Sequence, residues 1–282
     1  MSETDKDRPI LDWGRCDIEQ RLWFPGGRYT GANGLLTGLL ALLLTAGFYG
    51  VLATPWLRGS TFDLMFTQRG PTQHATVLLF FWCLVILAVK WTKLRFQRRA
   101  LGVAVIPSEP GFVISTATVD RVLDRINDAV DDPRNFILFN RLVIALANLR
   151  NLGRVADLDD VIQAQAAQDE AAVETSYSLL QGFVWAIPVL GFIGTVLGLS
   201  EAIGQFSGVL GSAKDVSQIS SALKGVTAGL ATAFDTTLVA LVAALVIQLL
   251  ITLMRKHEQE FLDAAMEFAL RHVVGRLRVT AD

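Results

Sequence analysis

A single acid stands in a long apolar run. From Gly225 to Met254 the only charged residue is Asp235, and it is followed by Thr236 and Thr237. A charge inside a bilayer is costly, so such an acid is read by default as functional. At helical spacing Gly225, Ala228, Gly229, Thr232, Asp235 and Thr236 share one face, and Thr237 lies about 100° from Thr236. The depth of Asp235 is open. Counted back from Arg255 it sits about 28 Å away, at the outer surface. Counted forward from Gly225 it is about 15 Å in, near the middle. A solvated edge and a pore-lining position therefore weigh equally.

A second stripe occupies the preceding apolar run, Gly182 to Ser200, which carries no charge. Gly191, Gly194, Thr195, Gly198, Glu201, Ala202 and Gln205 recur at intervals of three and four, so small and polar side chains form one line. Val189, Phe192, Ile193, Val196, Leu197 and Leu199 fall on the other side. Small residues allow close helix contact in lipid, which is one reading of the glycines. An ion- or water-facing role is the other, and it is stronger for Thr195 because its stripe ends in Glu201 and Gln205, candidates for a pore mouth. Pro188 removes a ladder donor, which either frees carbonyls for an ion path or only kinks the helix. The expectation is that the glycine- and threonine-lined sides of both helices turn toward a hydrated axis shared by several copies.

Those stripes need spans to carry them. The chain has 282 residues, 52% hydrophobic and 18% charged, where soluble domains are about 25% charged. Four runs suit a crossing of roughly 20 residues: Gly34 to Leu57, Ala75 to Val89, Gly182 to Ser200 and Gly225 to Met254. Within lipid these must be helices, since a helix satisfies its own backbone. Lys93, Arg95, Arg98 and Arg99 after the second span, and Arg255 and Lys256 after the fourth, place both clusters and both termini in the cytoplasm. Lys90, at the end of the second span, can snorkel. The outer loops are then about 58–74 and 207–224.

The resulting organisation is a cytoplasmic or interfacial leader (1–33), helices one and two (34–92), a cytoplasmic helical domain (93–181), helices three and four (182–254) and a cytoplasmic C-terminal helix (255–282). The leader lacks the basic start and apolar stretch of a signal peptide. Its apolar residues fit either a surface-lying segment or a disordered one. In the inner domain a helix is predicted from about Val119 to Val130, ended by Asp131-Asp132-Pro133. A second has Leu138, Leu142, Ala145, Leu146 and Leu149 on one buried face. From Asp157 good helix formers run into the third span, predicting one helix to about Phe206. Phe261, Leu262, Ala265, Phe268, Ala269 and His272 line one side of the tail.

With Ala186-Ile187-Pro188 through Gly194-Thr195-Val196-Leu197-Gly198, and Gly229 through Ala244 around Phe234-Asp235-Thr236-Thr237, the sequence resembles the MotA/TolQ/ExbB proton-channel family. The likeness is specific over about 180–254. It implies an all-α membrane protein with long cytoplasmic helical extensions, assembled as a homopentamer in the bacterial inner membrane. The ring would surround two copies of a single-span MotB/TolR/ExbD-like partner whose membrane Asp binds the ion. Thr195 matches the third-span threonine facing that partner, Thr237 the fourth-span threonine and Pro188 the third-span proline. Some members carry a glutamate near the position of Thr232; none stands here, so a relay through the fourth span would fall to Asp235. The transported ion is expected to be H+ in preference to Na+, with no cofactor.

Three other classes compete. A non-conducting scaffold for a partner protein would use the same stripes for packing alone. A secondary transporter would show paired repeats, and none is visible. An enzyme is disfavoured: there is no Gly-rich phosphate loop, nucleophile–base motif or metal-ligand cluster, His74, His257 and His272 being isolated. Cys16 and Cys83 read as free thiols. A net charge of −2 argues against nucleic acid.

Overall fold

Runs of leucine, valine and alanine uninterrupted by charge have one low-energy form in lipid, and the chain adopts it. The computed structural model describes residues 9–107, 112–152, 157–210 and 216–276. Among these, ten α-helices alternate with short turns: α1 (Trp13–Cys16), α2 (Ile18–Arg21), α3 (Gly34–Leu52), α4 (Thr61–Thr67), α5 (Pro71–Arg99), α6 (Val119–Ala129), α7 (Ile137–Leu152), α8 (Asp157–Thr175), α9 (Ser178–Leu210) and α10 (Val216–His272). Four helical stretches are long and apolar enough to cross a membrane: Gly34–Leu52, Pro71–Gly102, Leu158–Gly204 and Ser220–His272. The protein is a nearly all-helical, multi-pass membrane protein.

The chain divides into two units. The first draws on Met1–Asn33, Ala88–Tyr177 and Leu253–Asp282, the second on Gly34–Leu87 and Ser178–Thr252.

In the second unit the helix ends follow local chemistry. Ser60 caps α4 by accepting from the Asp63 amide, while Asp63 accepts from Gly59 N at 2.9 Å, a reciprocal pair that closes the turn. Gly70, at φ +85°, allows the sharp turn into Pro71, which opens α5 at the position where a missing N–H is harmless. Helix α5 thus starts ahead of the predicted Ala75. Gly38 of α3 receives the Trp82 ring, and Trp82 Nε1 donates to Thr37 Oγ1 at 3.1 Å.

The first unit has an ordinary apolar core. Helix α7 runs through it, so Ile137 and Phe139 are buried along with Leu138, Leu142, Ala145, Leu146 and Leu149. Its burial therefore extends beyond the single face expected from spacing. Val119, Val122 and Ile126 of α6, Leu158 and Ile162 of α8, and Ala265 and Ala269 of α10 join the same cluster.

From residue 9 onward the leader is folded, with Leu11 and Trp13 buried and Ile18, Leu22 and Trp23 exposed. Leu11 bridges to Val130, and Trp13 packs between Phe96 and Phe136 with centroids 5.6 and 5.3 Å away. Glu19 is fully buried: Lys93 Nζ lies 2.5 Å from it, and the amides of Gly27 and Asn33 donate to its two oxygens. A buried carboxylate needs such a full set of partners.

Two expectations fail for related reasons. The long helix predicted from Asp157 is interrupted at Ser176 and Tyr177, between α8 and α9. The Ser176 hydroxyl turns back to Val173 O at 2.5 Å and accepts from Lys90 Nζ at 2.7 Å, competing with the helix ladder. Lys90 does not snorkel. It is fully buried, 3.1 Å from Glu258, with its ammonium 4.2 Å over the Tyr177 ring, whose hydroxyl donates to Glu258. Arg255 approaches the same ring at 4.8 Å.

A second buried network joins Arg141 to Asp169 at 3.1 Å, with Tyr29 and Gln165 donating to Asp169 and Asn140 donating to Tyr29. Arg141→Met alone strands Asp169 and should destabilise the protein by about 3–5 kcal/mol, whereas Arg141→Met with Asp169→Leu should recover most of the loss in chemical denaturation. Burial first, and then the charge of Asp169, push the Tyr29 hydroxyl from 10.0 up to about 12. The folded chain then keeps a proton that the unfolded chain releases. The contribution to stability is whole below pH 10.0 and is lost as pH climbs to about 12. Alkaline unfolding curves should show this loss, and Tyr29→Phe should flatten it.

Candidate ion-conducting site

Helices α9 and α10 approach closely because one line of α9 has no side chains. A Cβ on Gly194 would stand 2.7 Å from Thr236 Oγ1 and 2.9 Å from Thr72 Oγ1; on Gly198 it would stand 2.9 Å from Gly229 O. Gly191 meets Ala240 in the same way. The stripe predicted to face a shared axis is thus largely the α9–α10 contact inside one protomer. The large residues on the other side of α9, Val189, Phe192, Ile193, Val196, Leu197 and Leu199, are exposed on the single chain. Pro188 lies within α9, and the helix continues through it.

Close approach brings hydroxyls together at the margin of this contact. Thr195 and Thr237, both half-buried, hydrogen-bond each other through their side chains. Ala233 O lies within hydrogen-bonding reach of Thr195 Oγ1 at 3.1 Å and of Thr237 Oγ1 at 3.2 Å, and Gly191 O of Thr237 Oγ1 at 3.3 Å, as alternative acceptors for their single hydrogens. Thr236, fully buried against Gly194, bonds Ala233 O at 3.1 Å and Thr232 O at 3.0 Å. The Ala233 carbonyl therefore gathers three hydroxyls into one polar ladder across the two helices. A hydroxyl holds one hydrogen, so of Thr195 and Thr237 one donates to the other while the second donates to a carbonyl, and this pair is the hydroxyl-to-hydroxyl step of the ladder.

Asp235 has a partner that the sequence reading missed. Arg69, in the turn before α5, lies 2.8 Å from the Asp235 carboxylate and donates to Thr232 Oγ1 at 3.1 Å. The signal was available, since a lone acid in an apolar run calls for a counter-charge and Arg69 stands in the loop assigned to the outer side. Thr72 was missed as well, because nothing in spacing shows that the start of α5 reaches Gly194. Glu201 is exposed, and the side chain of Gln205 lies outside the described residues.

Residues 137–267 match the MotA/TolQ/ExbB proton channel family. The match, which spans somewhat less than half of the chain, is a likeness to a family of proton channels. Comparison with curated proteins and with solved structures finds no match. The family segment takes in α9 and the part of α10 that carries Thr232, Asp235, Thr236 and Thr237; Arg69 and Thr72 lie outside it.

The seam predicts a sharp difference between glycines. Gly194→Val should force α9 from α10 and destabilise the protein by about 1–3 kcal/mol in thermal unfolding. Gly204→Ala, inside α9 at a glycine with open space around its Cβ position, should instead raise stability by about 0.5–1 kcal/mol.

Proposed function

We propose that the chain is the ring-forming channel subunit of a 5:2 motor complex, a homopentamer around two copies of a single-span MotB/TolR/ExbD-like protein with a membrane Asp. It would convert ion-motive force into rotation or mechanical work. The observation that carries this reading is the Thr195–Thr237 hydroxyl pair, half-buried at the edge of the α9–α10 contact and inside the segment matched by a proton channel family.

An ion crossing the membrane releases about 2.3 kcal/mol per charge for each 100 mV or so. The partner's Asp would take H+ from the outer side and release it inward, with the two threonines offering hydroxyls along the way. H+ is favoured over Na+ because the matched family is one of proton channels. Five-fold and two-fold symmetries do not match everywhere, so each transfer favours turning one ring against the other. The positive-inside rule, applied to Arg95, Arg98, Arg99, Arg255 and Lys256, places both termini in the cytoplasm of a bacterial inner membrane.

The second reading is a non-conducting scaffold for a partner protein. It is favoured by the same glycine contact, which accounts for most of the small-residue stripe without any ion. Proton flux into membrane vesicles carrying the full chain and its partner separates the two. Thr195→Val and Thr237→Val should each lower flux by about tenfold or more, while Thr195→Ser keeps it, in line with the usual weight of one proton-transfer group. Undiminished flux in both Val variants would remove the hydroxyl role. Partner function that survives collapse of the gradient would establish the scaffold.

A further inference from the structure

The polar ladder ends in an oxygen cluster that already holds a cation. The Asp235 carboxylate and Thr232 Oγ1 both face Arg69, whose two terminal nitrogens reach them at 2.8 and 3.1 Å respectively. The Asp235 and Arg69 side chains are 30% and 20% exposed on the single chain, so its own side chains do not seal the cluster. Thr232 O then accepts from Thr236, and Thr236 shares Ala233 O with Thr195 and Thr237. A carboxylate beside a hydroxyl oxygen offers a hard oxygen donor set of the kind that suits hydrated metal cations. The guanidinium occupies it with a permanent, tethered positive charge.

We propose that Arg69 is a specificity-determining residue, a built-in cation that fills the Thr232–Asp235 oxygen site and so keeps Na+ out of a proton path. The assignment rests on the channel reading above and adds the basis of its ion preference. A free alkali ion must lie among oxygens to replace its lost water, and here that place is taken. A proton needs no such place, because it can pass between the Thr195 and Thr237 hydroxyls along the bond that joins them. Arg69→Ala empties the site and leaves the Asp235 carboxylate without its counter-charge, so Na+ can enter. Arg69→Lys keeps a cation there. Arg69→Ala with Asp235→Asn removes both charges and with them the attraction for Na+.

The test uses the purified full chain in lipid nanodiscs, compared in NaCl and in choline chloride at equal ionic strength. Arg69→Ala should show a higher Tm in NaCl than in choline chloride. The parent, Arg69→Lys and the Arg69→Ala/Asp235→Asn double variant should show no difference. In vesicles with the partner present, Arg69→Ala should lower the H+/Na+ flux ratio by about tenfold or more, the scale on which a single-sign charge cluster raises local counter-ion concentration. The proposal is overturned if Arg69→Ala has the same Tm in both salts, or if the double variant shifts as far as the single one. Vesicles without parental flux would count against the channel reading instead, and the salt-dependent Tm would still decide the role of Arg69.

Discussion

Two helices in lipid gain little from excluding hydrocarbon, so what joins α9 to α10 is the nearness of their backbones. That nearness is possible only where Gly191, Gly194 and Gly198 leave the surface of α9 bare. The rest of the second unit's polar chemistry depends on it. Thr195 reaches across to Ala233 O and to Thr237 because the helix axes are close, and Thr236 and Thr72 converge on Gly194 because nothing projects there. Packing and ion pathway, posed as rival accounts of one stripe, are therefore successive steps of a single arrangement. The glycines set the separation, and the threonines at the margin use it.

The first unit solves a different problem. Its core is apolar, yet it takes in three sets of opposed charges: Lys93 with Asp17 and Glu19, Arg141 with Asp169, and Lys90 with Glu258. Replacing such pairs with apolar residues often leaves a protein as stable or more so. Their value here lies in register. Glu19 fits only where Lys93, Gly27 and Asn33 present their donors together, and this fixes how the leader sits among the helices.

What the sequence made legible follows from periodicity and length. The four apolar runs, α6 to within a residue, and the apolar residues of α7 were all visible because burial imposes a helical repeat on composition. The contact partners of Asp235 and Gly194 were not, because Arg69 and Thr72 come from another helix and its turn, and periodicity carries no record of neighbours far along the chain. The interruption at Ser176 was hidden for a related reason. Serine is tolerable within a helix, and nothing in the spacing shows that its hydroxyl bonds Val173 O and meets the buried Lys90 where the helix breaks. Lys90 itself misled, since a lysine at the end of an apolar run looks like an anchor at the lipid surface until Glu258 and Tyr177 are seen around it.

The first unit is assembled from three separated stretches, and this bears on how it is made. Leu11 and Trp13 emerge from the ribosome early; Ala265 and Ala269, which complete the same core, emerge last. Throughout synthesis of the intervening spans, the part of that core completed by Ala265 and Ala269 must wait uncovered. Domains usually close as they are translated, but this one closes only when its final helix arrives, after two further spans have been inserted. Contacts between residues so far apart in the chain form slowly. A nascent chain stalled anywhere before α10 is thus a chain with an open core, exposed to proteases and to chaperones in a way the finished protein is not.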